Sequence, residues 1–311
     1  MINERYILRL EGLPNQSGAI SARLLSRWLA GLTLCTQRIT RLLVDGTSVQ
    51  TGTPPAWLER AADFEVVAQG KGSTTLTLEA PRFGSLDDPE FIQSDFFAAG
   101  PSPNDTSLTC LTRALDETLR GNLESEFAEP GVLEAVGDLR KLFTSDAMRA
   151  EFHHDGTNEP VIAFGRAEVE RVSEMRRTLP QAQEAFISGK LDGLRHTARR
   201  FFLELPDGRE VRSRLHPEFL SPDDLAQYFG RNVTIRGEAH FKPSGALRVF
   251  IARTVKPRAE GEEVFSAVPV VQTEAAFVGD LRKELKTKAS WITGIWGQWP
   301  GEESIDELLK S

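Results

Sequence analysis

Cysteine is almost missing from this chain: Cys35 and Cys110 are the only two in 311 residues. That is too few for a disulfide framework or a thiolate zinc centre. No apolar run approaches the roughly 20 residues of a membrane-spanning helix, and Met1 to Gly18 lacks the apolar core of a signal peptide. A cytoplasmic protein without membrane contact is therefore expected. Signatures of reaction chemistry are missing too. There is no Gly-x-Ser-x-Gly elbow for a serine nucleophile and no HExxH-type metal spacing. Gly70-Lys71-Gly72-Ser73-Thr74 has the residue types of a phosphate loop in the wrong order, and the alternation after it predicts a strand where that loop requires a helix. No carboxylate pair stands in an apolar surround that would drive two pKa values apart. These absences predict a non-enzymatic protein with no cofactor, no metal and no catalytic residue.

The remaining candidates for chemistry have plainer readings. His153-His154-Asp155 has metal-ligand residue types, but neighbours on a strand point to opposite faces, so solvated strand-end histidines are expected. Cys35 and Cys110 fall in apolar helical stripes, where a thiol packs as a small hydrophobe. An active site drawn from distant residues would show itself as a cleft between domains that joins His153 or His154 to Asp155, Asp192 or Glu204.

Charge is distributed unevenly. The net charge is −8, yet residues 183–258 carry 14 Lys and Arg against 9 Asp and Glu, so this segment is +5 and the rest is −13. A basic module in an acidic chain is either a polyanion site or the face on which the acidic parts pack.

Along residues 1–180 the periodicities predict a mixed α+β domain. Tyr6, Leu8 and Leu10 alternate in a first strand, and Ser21 caps a long helix whose stripe runs from Leu24 through Trp28, Leu32, Cys35 and Ile39 to Leu43. Asp63 to Ala68 and Thr74 to Ala80 read as a hairpin around Gly70 to Ser73. Helices are predicted over Asp87 to Phe97, Ser107 to Arg120, Pro130 to Phe143 and Arg166 to Thr178, with strands at Met148 to His153 and Val161 to Phe164. Pro180 to Gln183 then serves as a linker.

Residues 183–258 predict a five-stranded barrel. Strands at Ala185 to Leu191, Arg200 to Leu205 and Glu210 to His216 precede a short helix capped by Ser221, with Pro222 at its first position and Gly230 closing it. Strands at Asn232 to Phe241 and Ala246 to Val255 complete the set. Three strands, a helix and two strands is the order of an OB fold, whose second and third strands usually form the binding face. If Phe201, Leu203 and Leu205 point inward, Arg200, Phe202 and Glu204 point outward beside Arg212, Arg214 and His216. An exposed Phe202 among Arg200, Arg212 and Arg214 suits base stacking with phosphate contact, hence single-stranded nucleic acid. The alternative is that Phe202 is covered by the other domain or by the tail, with the arginines as an ordinary solvated face.

Residues 259–311 form the C-terminal extension. Val264 to Val271 reads as an extended segment, Thr273 to Lys288 as a helix, and Trp291, Trp296 and Trp299 gather three of the chain's five tryptophans. Ser304 to Glu307 forms a capping box that opens a last short helix with Ile305, Leu308 and Leu309 on it. Tryptophans in such a cluster anchor interfaces, so these six residues are the candidate partner-binding set.

Gly208, Val211 and Arg212, then Val233-Thr234-Ile235-Arg236-Gly237 and Pro243-Ser244-Gly245, resemble a recurrent module of uncharacterised bacterial proteins. The ending Trp299-Pro300-Gly301-Glu302-Glu303-Ser304-Ile305-Asp306-Glu307-Leu308-Leu309 is similar to C-terminal segments of antitoxin-like proteins, some of which stand beside PIN-type ribonuclease toxins. The resemblance covers the last third of the chain and brings no catalytic residue. It implies an accessory or antitoxin-like component of a prokaryotic toxin or defence module, with a toxin or nuclease encoded nearby as its protein partner.

Overall fold

The computed structural model describes residues 3–13, 19–50, 52–69, 74–88, 91, 101–195 and 199–273. The chain divides between Val271 and Gln272, and everything below belongs to the first unit. That unit contains two cores, one in an α+β part and one inside a barrel. The predicted Asp87 to Phe97 helix falls mostly outside the described residues. The helix after Thr273 and the tryptophan segment also lie outside them.

The α+β part is built on an antiparallel sheet. Its strands are β1 (Asn3–Glu11), β2 (Glu65–Gln69), β3 (Thr74–Pro81), β4 (Arg149–His154) and β5 (Pro160–Gly165), arranged β2-β3-β1-β4-β5. Tyr6, Leu8 and Leu10 point to one side and are buried with Leu76, Leu78, Ala150 and Phe152. The helices that supply the other half of this core are α1 (Ala22–Asp45), α2 (Ala56–Ala62), α3 (Ser107–Leu119), α4 (Pro130–Asp138) and α5 (Arg166–Thr178). Trp28, Leu32, Cys35, Ile39 and Leu42 bury one stripe of α1, at the three- and four-residue steps of a helix. Trp28 meets the edge of Phe143 at 5.3 Å. Ser21 caps α1 as expected, accepting from the Leu24 amide at 3.2 Å.

Several expectations need correction in this part. The helix α2 went unpredicted, although Pro54-Pro55 followed by Ala-Trp-Leu-Glu-Arg-Ala-Ala carries the signal of a residue with fixed φ before good helix formers. The predicted helix from Pro130 to Phe143 tightens into a 3-10 turn at Leu139–Leu142. His153 is not a solvated strand-end residue. It is 2% exposed, and its Nε2 lies 3.1 Å from Glu151 Oε2. His154 is exposed, with its ring 4.7 Å from that of Tyr6.

The second core fills a closed barrel of β6 (Gln183–Arg195), β7 (Arg200–Glu204), β8 (Glu210–Leu215), β9 (Asn232–Phe241) and β10 (Leu247–Pro257). The order around it is β10-β8-β7-β6-β9, with β8 and β10 parallel and every other pair antiparallel. Helix α6 (Pro222–Ala226) sits between β8 and β9, which completes the predicted OB-like sequence of elements. Ile187, Leu203, Val211, Ile235 and Phe250 point inward. Ser221 and Asp224 cap α6 reciprocally. This helix ends at Ala226, earlier than predicted; Gly230, at φ 73, closes the turn that follows.

The extended segment expected from Val264 to Val271 starts inside a turn and joins no ladder among the described residues. Glu262–Phe265 is a 3-10 turn, and Pro269 removes an amide that a ladder would need. The backbone beyond it is irregular, with Phe265 against Phe186 at 5.2 Å and the Val271 amide on Gly245 O at 2.9 Å. No helix among the described residues is long and apolar enough to cross a membrane.

Candidate anion-binding site

The carbonyl end of α1 is where the two cores meet. The last carbonyls of a helix lack intrahelical donors, and the aligned peptide dipoles place partial negative charge there. Gly46, in the left-handed conformation at φ 74, ends α1, and its amide takes one of these carbonyls, Leu42 O, at 2.7 Å. Two barrel arginines take the next two, and a third takes the carbonyl of Gly46 itself. Arg200 Nη2 donates to Leu43 O at 2.9 Å and to Val44 O, and Arg214 Nη2 donates to Val44 O at 2.7 Å. Arg248 Nη1 donates to Gly46 O at 3.0 Å. These residues come from β7, β8 and β10, so the barrel grips a single helix end through three strands.

Beside this grip runs a cleft of about 380 Å³. Its barrel side is Arg200, Phe202, Arg212, Arg214, Arg248 and Val249, and its other side is Leu42, Leu43, Arg113, Glu117, Glu126 and Phe127. Five guanidinium groups therefore face two carboxylates. Both carboxylates already have partners: Glu117 accepts from Ser125 Oγ at 2.6 Å, and Glu126 lies 2.8 Å from Lys242 Nζ. Arg113 is held over the Phe127 ring at 5.7 Å and pairs with Asp105 at 3.3 Å. Burial pushes the pKa of Arg248 down from its ordinary value, while Glu129 and Glu126 support its charge. Arg212 is exposed and makes no ion pair among the described residues.

The structure regroups the four predicted nucleic-acid residues. All of them line this cleft, but Phe202 is not an exposed platform: it is 6% exposed and Arg200 is 7% exposed. The reason is tertiary. Phe202 points outward from the barrel, opposite Arg212, and so faces the end of α1. Of the alternative reading, the cover over Phe202 is present, but Arg200 is buried with it and is not part of a solvated face. Sequence reasoning missed Arg248 and Arg113, which lie 48 residues after Arg200 and 87 residues before it, so no spacing could have grouped them. The candidate partner-binding residues Trp291, Trp296, Trp299, Ile305, Leu308 and Leu309 lie outside the described residues.

No catalytic set converges here. His153 and His154 are on β4, away from the cleft lining, as are Asp155, Asp192 and Glu204. Burial pushes the thiols of Cys35 and Cys110 up to about 12, which leaves both protonated and poor as nucleophiles. Among the described residues, no group of three His, Cys, Asp or Glu side chains could hold a metal ion. What the arrangement does offer is a set of planar donors suited to phosphate or carboxylate oxygens.

His240, on β9, adds a pH dependence to the barrel. Burial, reinforced by the Arg248 charge, holds its pKa below the usual 6.5, and Glu238, 3.6 Å away, offsets this only in part. The folded state thus takes up the proton later than the unfolded chain does. The contribution to stability is complete above about pH 6.5 and is lost as pH falls below it toward the folded pKa. We expect the urea midpoint of the wild type to drop more between neutral and mildly acid pH than that of His240→Asn. Equal drops would show that His240 titrates as it does in the unfolded chain.

No protein-family model matches this chain, and no curated protein does. Among solved structures the chain is similar to U. maydis replication protein A bound to single-stranded DNA, at 18% identity over 28% of this chain and 68% of that one. The TM-score is 0.18, too low to carry an argument about fold or function.

Proposed function

We propose that this chain is a non-enzymatic binding protein that holds single-stranded nucleic acid by its phosphates at the arginine cleft. The observation that carries this reading is the set of five arginines around one cleft whose two carboxylates are already engaged. The volume falls within the roughly 300–1,000 Å³ range of small-ligand sites, enough for a nucleotide unit. Arg212 and Arg113, at the more open side, make the first contact with the ligand. Arg200, Arg214 and Arg248 belong to the floor, where they also hold α1. The +5 barrel within a chain of opposite sign draws a polyanion to this module and not to the remaining surface.

The test is fluorescence anisotropy of a labelled oligothymidylate of about 15 nucleotides, titrated across salt. Affinity should fall steeply between about 50 and 200 mM salt, and Arg212→Gln should flatten the log–log slope by roughly 0.7, one phosphate contact. No binding at the lowest salt, or an affinity indifferent to salt, sinks the reading.

A second reading concerns the C-terminal segment. We propose that Trp291, Trp296, Trp299, Ile305, Leu308 and Leu309 bind a protein, in the antitoxin-like or accessory role that their resemblance implies. The concentration of three tryptophans in nine positions of an acidic tail supports this. Co-purification with the products of adjacent genes should depend on residues 289–311. A partner retained by the truncated chain counts against it.

A further inference from the structure

With Phe202 covered, the exposed aromatic side chains of the barrel lie elsewhere. Phe219 is 59% exposed in the segment between β8 and α6, and its surroundings differ from those of an ordinary surface phenylalanine. Its ring lies 4.6 Å from the His216 ring, and the Arg253 guanidinium sits over it at 5.7 Å. The segment itself is pinned. Arg199, at φ 49 in a region that non-glycine residues rarely adopt, donates through Nη2 to His216 O, Pro217 O and Leu220 O at 3.2, 3.3 and 2.6 Å. The Glu218 amide donates to His216 Nδ1 at 3.2 Å, and Leu220 is anchored in the barrel core. An aromatic ring held this firmly loses little entropy when a flat ligand covers it.

The position of this ring links it to the cleft. Arg212 and Arg214 alternate along β8 with the inward Ser213 and Leu215, and His216 continues the outward row. On the parallel neighbour β10, Ile251 stands beside Arg214. Arg253 follows next to His216, whose amide donates to Ala252 O at 2.9 Å. From Arg214 to His216 is two residues of strand, about 7 Å at the usual rise. A phosphate at Arg212 and Arg214 therefore leaves the next unit of an extended strand over His216, Arg253 and Phe219. Arg253 also pairs with Glu238, so its part here is to shape the platform.

We infer that Phe219, backed by His216 and Arg253, is the base-stacking platform for the strand whose phosphates the cleft holds. This rests on the proposed function: the cleft supplies charge, and the ring supplies a π face that every base can use. Phe219→Leu keeps the bulk of the side chain and removes that face. In the same anisotropy assay with the full chain, F219L should weaken binding roughly tenfold and leave the salt slope unchanged. Phe219→Tyr should bind as the wild type does. An abasic strand of equal length should not distinguish wild type from F219L, since it has nothing to stack. If the wild type binds with a steep salt slope, R212Q flattens that slope and F219L matches the wild type, the platform is wrong and the cleft stands. If the wild type shows no salt-dependent binding, both fall together.

Discussion

Replacing Arg200 by alanine should lower stability by about 3 kcal/mol, because it strips donors from the helix end on which the barrel is seated. Its guanidinium serves both Leu43 O and Val44 O, and the side chain is 7% exposed, so water replaces it poorly. Arg214 retains its own bond to Val44 O, whereas Leu43 O loses the donor that Arg200 supplies. Arg200→Lys should recover little of the loss, since an ammonium lacks the planar fork that spans two carbonyls. Thermal melts followed by circular dichroism would measure this. A shift matching less than about 1 kcal/mol would mean that Arg214, Arg248 and apolar contact hold the barrel to α1 without Arg200. The same variant should lower affinity for single strands, since one wall of the cleft is then no longer fixed.

A comparable loss, about 3 kcal/mol, is expected for Gly237→Ala, for a different reason. β9 and β10 approach so closely at this point that an added Cβ falls on the Ile251 carbonyl oxygen, 2.8 Å from the Ile251 carbonyl carbon and 2.9 Å from Ala252 Cα. These are backbone atoms, so no side-chain rotation relieves the overlap. The irregularity between Ala252 and Thr254 lies next to it, and a methyl group there must open the ladder that closes the barrel. Urea unfolding should show a lower midpoint, and amide exchange should rise first along β9 and β10. A midpoint within error of the wild type would show that the irregular stretch absorbs the methyl.

Gly46 shows how local and tertiary demands coincide at one residue. Its positive φ favours glycine at the end of α1, and a Cβ there would also lie 2.7 Å from Arg214 Cδ. The helix stop is written in the local sequence, since glycine after an apolar stripe is a stop signal. That the same glycine lets a barrel arginine reach the helix end depends on residues 168 positions apart.

The barrel was legible because each strand advertises itself with a two-residue period, and Pro206-Asp207-Gly208, Ser221-Pro222 and Pro243-Ser244-Gly245 punctuate the strands with residues suited to turns. The strands of the sheet and the stripe of α1 were legible for the same reason: periodicity is a property of neighbours along the chain. The burial of Phe202 was not. Alternation says that Phe202 points away from the barrel interior, and it does; whether the outside is water or another element is a question of what packs there. The stretch from Val264 to Val271 is a related case: Val268 and Val271 pack against the barrel core while Val264 and Val270 stay exposed, a division set by what lies next to each of them.

By itself, then, the sequence determined two cores, the order of the barrel's elements and the excess of positive charge on the barrel, all of which follow from periods, turn chemistry and composition. Only the tertiary structure decided that Arg113, Arg200, Arg212, Arg214 and Arg248 share one cleft and that the exposed ring near them is Phe219. The physical reason is that the negative end of α1 draws the arginines of three strands to one point. In doing so it covers the face that the barrel would otherwise present and leaves the neighbouring β8–β10 surface open.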